Sequence, residues 1–303
     1  MTVAVTGGTG FVGGNIIRAL TRQGHHVLDV GRRPSRHGAA EFVRLNLTDG
    51  PSRAQRLGDI PIVHCAAEVG DGFDDGMLRR NVVMMDTSLS LGTGPFIHMS
   101  SSSVYSLEHP SLHVRPEDAT GHYRWFGTYS ESKFVNEQQL TAARRDSALI
   151  IRPHAVYGPG DNTLLPRVLH ATRRGVVPLP RGGRALHELT WVGNIAAAVT
   201  RALTADIDGT HAVNVTDGDP VPIGDAFEAA AGRPIHILPI PMRTARHVAV
   251  AARGRFGISP YSVRQLGYER TYNLDLAREL LDWQPVSGTI ERLANLDRHA
   301  LAA

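Results

Sequence analysis

The chain opens on an apolar strand, Thr2 to Thr6, which runs directly into Gly7-Gly8-Thr9-Gly10-Phe11-Val12-Gly13 and then into a helical stretch ending near Gln23. Gly24-His25 reads as a turn, and Val27 to Val30 reads as a second strand. Strand, glycine turn, helix and parallel strand within about 30 residues form a βαβ unit. That unit restricts the rest of the chain, because a parallel pair must be extended by further crossovers and covered by helices on both faces. The glycines also have separate uses. Gly7 permits a tight turn, Gly10 lets backbone approach a pyrophosphate, and Gly13 allows the helix to pack closely on the strand. The first helical residues, with Phe11 and Val12 among them, offer free N–H groups and a positive dipole end to phosphates. The expected ligand of this turn is a dinucleotide.

The alternation continues. Phe42-Val43-Arg44-Leu45, Ile60 to Ala66, Phe96 to Ser100 and Ala148 to Arg152 read as strands, with helical stretches between them. Ile62-Val63-His64-Cys65-Ala66-Ala67 is nearly continuous in apolar character, as in a parallel strand buried on both faces. The expected fold is α/β: a doubly wound parallel Rossmann sheet with a smaller C-terminal substrate lobe. Beyond Gly160 proline and glycine rise, as in Val177-Pro178-Leu179-Pro180-Arg181-Gly182-Gly183. The stretch from about Leu189 to Val215 reads as a return to the main sheet, with a helix over Asn194 to Thr204 and a strand over His211 to Val215. The nucleotide-binding domain is therefore expected over 1–160 plus about 188–215, and the substrate lobe over about 161–187 plus 216–303. Pro239 to Pro260, bounded by prolines and rich in Arg, Ala and Val, reads as cover for the substrate pocket rather than as a membrane-surface helix.

Composition narrows the classes. A hydrophobic share of 42% and a charged share of 20% belong to a globular domain with an ample core. A net charge of +3 spread along the chain does not point to nucleic acid. The single cysteine, Cys65, rules out an internal disulfide and fits a reducing compartment. Neither a signal peptide nor an apolar run long enough to span a membrane is visible, so a cytoplasmic protein is expected. Among 15 histidines none is paired at convincing ligand spacing, and His187-Glu188 lacks a second histidine where Trp191 stands; no metal is expected.

The end of the second strand discriminates between cofactors. An acidic side chain there would accept from the 2′-hydroxyl of NAD. Gly31 holds that place, followed by Arg32 and Arg33. Two guanidiniums can bind a 2′-phosphate, so NADP(H) is favoured over NAD(H). Asp29 argues the other way, but strand alternation should turn it from the crevice.

Of 32 cationic side chains only one, Lys133, is a lysine, and it lies four residues after Tyr129. On a helix the two share a face. A compact ammonium can lower a neighbouring phenol's pKa and also donate to a ribose hydroxyl. Bringing a tyrosine from about 10 to about 7 requires about 4 kcal/mol. One cation at about 5 Å contributes roughly 3 kcal/mol at an effective dielectric of 20, so Lys133 and the positive charge of an oxidised nicotinamide together would suffice. Phe96 to Met99 leads into Ser100-Ser101-Ser102-Ser103-Val104-Tyr105 at a strand's carboxyl end, where reactive groups of doubly wound sheets collect. A serine there can hold a carbonyl oxygen while Tyr129 passes it a proton.

With these motifs assembled, the chain resembles the extended short-chain dehydrogenase/reductases over nearly its whole length. The resemblance rests on Thr6 to Gly13, Val63-His64-Cys65-Ala66-Ala67, Asn81-Val82, the Ser100 to Tyr105 run, Tyr129-Ser130-Glu131-Ser132-Lys133 and Arg152-Pro153-His154-Ala155-Val156-Tyr157-Gly158-Pro159-Gly160. It implies Tyr129 as acid–base, Lys133 as its activator and ribose ligand, and Ser101 as the catalytic serine. It extends the expected cofactor contacts to Asn46, Leu47, Ala66, Ala67, Asn81, Pro153, His154 and Val156. It also implies a homodimer formed through two helices, one of them carrying Tyr129. Asn46 stands where an aspartate often meets adenine, and its amide can still bond the base edge.

Substrate is less constrained. Ala155 and His187 stand where sugar-nucleotide members usually carry Asn and Arg. Leu189 to Asn194, Pro159-Gly160-Asp161 and Val213 to Gly218 resemble instead the 3β-hydroxysteroid dehydrogenase-like branch. The favoured reading is hydride transfer between NADP(H) and a secondary alcohol or ketone. A nucleotide-sugar reductase, epimerase or dehydratase is the alternative, and a non-catalytic NADP-sensing regulator a third reading, disfavoured because Ser101, Tyr129 and Lys133 are all present. Ser103, Tyr105, Trp125, His154 and Trp191 are the candidate substrate contacts.

Overall fold

A computed structural model describes residues 1–36, 41–70, 72–122, 124–252 and 259–296. The first half of the chain forms β1 (Thr2–Thr6), α1 (Phe11–Arg22), β2 (His26–Gly31), β3 (Glu41–Arg44), β4 (Ile62–His64), α2 (Asp75–Ser90), β5 (Phe96–Met99), β6 (Ser111–Val114), α3 (Thr128–Ala142) and β7 (Ser147–Pro153). Next come β8 (Val156–Tyr157), α4 (Leu164–Thr172), β9 (Val176–Pro180), β10 (Leu186–His187), β11 (Thr190–Trp191), α5 (Val192–Ala202) and β12 (Gly209–Val215). The last part holds β13 (Val221–Pro222), α6 (Ile223–Ala231), β14 (His236–Ile240), α7 (Met242–Ala252), α8 (Pro260–Gly267), β15 (Arg270–Tyr272), α9 (Asp275–Leu281) and α10 (Thr289–Ala294).

Seven strands make the main sheet in the order β12-β7-β5-β4-β1-β2-β3. Every pairing in it is parallel. The order reverses between β1 and β4, so a crevice opens above their carboxyl ends, where such sheets bind ligands. Alternation along each strand buries both faces. Val3 and Val5 pack with Ile16, Ile17 and Leu20 of α1 and with Ile195 and Val199 of α5. Ala4 turns to the opposite face, into the cluster holding Met85 of α2 and Leu140 of α3. Each fully buried Leu or Ile stabilises the fold by about 1.5–3 kcal/mol. The doubly wound α/β architecture expected from the alternation is the observed one.

The return segment is slightly longer than its sequence pattern. Its strand starts at Gly209 and pairs with β7 along its length, from Gly209↔Ser147 to Val215↔Pro153. A second, four-stranded sheet runs β13-β10-β15-β6. Through it Ser111–Val114, from the first half of the chain, pairs with a strand near the C-terminus. This sheet and the β14–β9 pair are accompanied by a separate apolar cluster around Leu165, Leu179 and Phe227. Within the Pro239 to Pro260 stretch, β14 ends, α7 forms and α8 begins; residues 253–258 of it lie outside the described residues. Among the described residues no helix is long and apolar enough to cross a membrane.

Candidate active site

A cleft of about 980 Å³ opens over the switch point. Its floor is the glycine turn. Gly7 has φ +74°, and a Cβ there would lie 2.7 Å from the Ala66 backbone nitrogen. A Cβ on Gly13 would come within 2.3 Å of the Gly7 carbonyl. Gly10 donates its N–H to that carbonyl at 2.9 Å, which closes the turn. Helix α1 then starts with no side-chain cap and no acidic residue in its first turn. Its free N–H groups and positive end fit the pyrophosphate of a dinucleotide. Phe11, Val12, Gly13 and Ala67 line the same cleft. So does Cys65, whose thiol is pushed up to about 12 by burial, so it is no thiolate nucleophile.

The opposite wall is built by β5, β7 and α3. Ser101, Tyr129, Lys133, Pro153 and Val156 all face the cleft. Thr128 donates its N–H to the Gly72 carbonyl at 2.8 Å, which fixes the start of α3. Tyr129 and Lys133 follow one turn apart. The Lys133 ammonium donates to the Met99 carbonyl at 2.6 Å and stands 5.8 Å from the Tyr129 ring centroid. Ser101 follows the end of β5, and its Oγ accepts from Ser103 N at 3.1 Å.

Burial dominates the electrostatics of this trio. Burial raises the Tyr129 phenol well above its ordinary value, Tyr261 adds to the rise, and a hydrogen bond from Ser101 is what opposes it. The Lys133 ammonium is itself held by the Met99 carbonyl. Burial holds Lys133 itself down at about 8, with Cys65 and Glu137 pulling the other way. Near neutral pH the wall therefore carries a protonated phenol and an ammonium, a proton donor beside a cation.

One turn beyond Lys133 stands Glu137, a residue that sequence reasoning missed. It is buried, and Arg152 grips it with Nε at 2.9 Å and Nη2 at 2.6 Å. The Ser100 hydroxyl donates to the same carboxylate. Tyr129, Lys133 and Glu137 recur every fourth residue, so the stripe was visible in the spacing. The network joins α3 to β5 and β7, the three elements that carry the site.

The expected substrate contacts divide. Trp125 lines the cleft and packs on Phe134, centroids 5.4 Å apart. Ser103, Tyr105, His154 and Trp191 lie outside that lining. Tyr105 is buried, donates to Asn214 Oδ1 at 2.6 Å and accepts from Arg152 at 3.0 Å. His154 is buried behind β7, its Nδ1 2.8 Å from Ser102 Oγ and 3.1 Å from Tyr272 Oη. Burial first, then His187 and Arg270, holds its pKa well below the histidine range. Trp191 packs on Tyr157 beneath Gly158 and Gly193. The Ser103 hydroxyl is buried without a partner. Residues after a strand alternate in direction, so neighbours of a cleft residue point into the core as often as out of it.

The expected cofactor contacts also divide. Arg32 and Asn46 border a second, smaller depression of about 310 Å³, together with Arg44. Arg33 is exposed and is not part of it. Asn46 is committed locally, donating to Asp49 Oδ1 at 2.6 Å and accepting from Thr48 Oγ1 at 3.0 Å. Leu47 is buried, and its carbonyl accepts from Thr87. Ala66 lies under Gly7 rather than on the cleft surface, and Asn81 acts at one remove. The Asn81 amide bonds the Glu68 backbone in both directions and donates to Ser132 Oγ at 3.0 Å, tying the loop after β4 to α3. Asp29 is buried against Gly8 and accepts from Ser35 N at 2.6 Å, outside both depressions.

Residues 3–216 match the NAD-dependent epimerase/dehydratase family. The chain belongs to that family. Among its relatives is the 2-alkyl-3-oxoalkanoate reductase of Stenotrophomonas maltophilia, 26% identical over the whole of both chains. The 3-beta-hydroxysteroid dehydrogenase of Mycolicibacterium neoaurum is 25% identical, over 96% of this chain and 89% of that one. Among solved structures, that of MoeE5 in complex with UDP-glucose and NAD superposes with a TM-score of 0.70 at 22% identity, over 98% of this chain and 97% of that one. The protein is thus an NAD(P)-dependent enzyme of the extended short-chain dehydrogenase/reductase type, an oxidoreductase or an epimerase. The sequence resemblance reached the same family through the glycine turn and the Tyr129–Lys133 spacing, the two features that meet in the cleft.

Proposed function

We propose that the protein is an NADP(H)-dependent oxidoreductase interconverting a ketone and a secondary alcohol. The observation that carries this reading is the single cleft in which the glycine turn faces Ser101, Tyr129 and Lys133. A bound nicotinamide would supply or accept the hydride. Ser101 would hold the carbonyl oxygen, and Tyr129 would give it a proton. The raised phenol pKa keeps that proton on Tyr129 near neutral pH, which suits the reducing direction. Lys133 would hold a ribose hydroxyl and keep a positive charge beside the alkoxide as it forms. The names of two relatives, a 2-alkyl-3-oxoalkanoate reductase and a 3-beta-hydroxysteroid dehydrogenase, support a redox reaction on a lipophilic compound. Arg32 and Arg44 beside Gly31 support the phosphorylated cofactor. The likeness to MoeE5 bound to UDP-glucose favours a second reading, in which a nucleotide-sugar is oxidised and reduced within one catalytic cycle. Dimerisation through α2 and α3, which pack side by side, belongs to the same reading of the family.

The test is absorbance of the reduced nicotinamide with NADPH and a panel of ketones, sterols and nucleotide-sugars, with products identified by mass. Net oxidation of NADPH by a ketone is the expected result. Conversion of a nucleotide-sugar with no net change in cofactor would replace this reading with the second. Tyr129→Phe should lower turnover by at least about 100-fold while NADPH still binds. Undiminished turnover in that variant would place the acid–base group elsewhere.

A further inference from the structure

The mouth of the cleft has a composition of its own. One lip is the loop after β4, where Val69 and Phe73 are 60% and 69% exposed. The facing lip is α7, where Val250 is 68% exposed. Apolar side chains this open, set on both sides of a cleft, mark a site for an apolar body. Between the lips lies Phe126, with the Arg264 guanidinium 4.3 Å from its ring centroid and that of Arg124 at 5.6 Å. Both arginines line the cleft. Among the described residues neither makes an ion pair with a carboxylate; Arg264 donates to the Pro260 carbonyl at 3.3 Å. Burial first, then Arg246 and Arg124, draws the Arg264 pKa below the usual guanidinium value, while Tyr268 and Glu108 act the other way. Two guanidiniums beside one aromatic ring leave a positive potential at the mouth that attracts an anion.

We propose that the substrate is an amphiphilic anion: a carbonyl compound whose anionic group is held by Arg124 and Arg264 and whose hydrocarbon lies along Val69, Phe73 and Val250. Ser101 and Tyr129 line the same cleft as this mouth, so one molecule can engage both ends. The apolar lips separate this substrate from a wholly polar one, and the arginine pair separates it from a neutral lipid such as an uncharged sterol. The inference rests on the reading of the cleft as a ketone reductase.

The experiment compares long-chain oxo-acids, the ketone placed at positions 3 to 6, with their methyl esters and with UDP-glucose, each in the presence of NADPH. The acids should show kcat/KM at least about tenfold above their esters, chiefly through KM. In Arg124→Gln combined with Arg264→Gln that preference should collapse to about twofold or less, with NADPH affinity reporting that the variant has folded. Acids and esters reduced equally well would overturn the inference and leave the reductase reading intact. So would an acid preference that survives in the double variant. Conversion of UDP-glucose alone, without net NADPH oxidation, would overturn both.

Discussion

Gly31 ends β2, and the strand register sets it beside Arg44 at the end of β3. Position 31 carries no side chain, and the neighbouring depression is bordered by Arg32 and Arg44, together with Asn46 and Asp49. Charge-assisted bonds to a phosphate are worth about 1.5–3 kcal/mol each. Arg32→Ala with Arg44→Ala should therefore weaken NADPH by roughly 100-fold or more and leave NADH within a few-fold, as read by fluorescence titration. Arg33→Ala should change either affinity little, since Arg33 lies outside the depression. Equal losses for both cofactors in the double variant would mean that the arginines do not read the 2′ position. At this scale the sequence was a partial guide. The missing acid at Gly31 and the adjacent Arg32 were legible, because both lie on one short segment. Arg44 was not, because its nearness to Gly31 follows from strand pairing and not from chain order. Neither was the fate of Asn46, whose amide bonds its own turn instead of remaining free.

Helix α3 carries chemistry on one stripe and bracing on its continuation. Tyr129 and Lys133 face the cleft; Glu137 faces Arg152 and Ser100. Both partners of the Glu137–Arg152 pair are almost completely buried. Replacing one member of such a pair strands the other charge in a medium that solvates it poorly. Glu137→Gln should lower stability by about 3–5 kcal/mol, measured as a shift in the urea midpoint. A shift below about 1 kcal/mol would mean that water or a neighbour already solvates Arg152. The Tyr129–Lys133 pair could be read from spacing, since four residues span one helical turn wherever the helix lies. Its electrostatics could not. The direction of the Tyr129 pKa depends on how far the phenol is buried and where the Lys133 ammonium points, and packing decides both.

At the scale of the whole molecule, four histidines among the described residues are buried and kept neutral by folding. His64 is lowered to about 3, chiefly by burial and then by Lys133. His187 is lowered to about 3 by burial and Arg270. His98 and His154 are held well below the usual value by burial, then by Lys133 and His64 in the first case and by His187 and Arg270 in the second. Unfolding restores a pKa near 6.5, so below that value the unfolded chain binds more protons and stability falls as pH falls. His64 and His187 each cost on the order of 2 kcal/mol by pH 5, against a total of about 5–15 kcal/mol for a typical fold, and His98 and His154 act in the same direction. Glu188 and Asp217, raised by burial, act in the opposite sense. The urea midpoint should drop steadily from pH 7 to pH 5; an unchanged midpoint would show that these imidazoles reach water.

The sequence by itself determined the parallel sheet, the nucleotide turn and the family. Each of those rests on local order: apolar runs that alternate with helical periodicity, glycines where a side chain would strike backbone, and residues one helical turn apart. Only the tertiary structure decided which side chains share the cleft. It placed Ser103, Tyr105, His154 and Trp191 outside the cleft lining and the Arg124–Arg264 pair on it, and it set Arg44 on the smaller depression and Glu137 against Arg152. Those placements depend on strand register, on which face of an element is buried and on the meeting of segments more than a hundred residues apart, and chain order carries none of these.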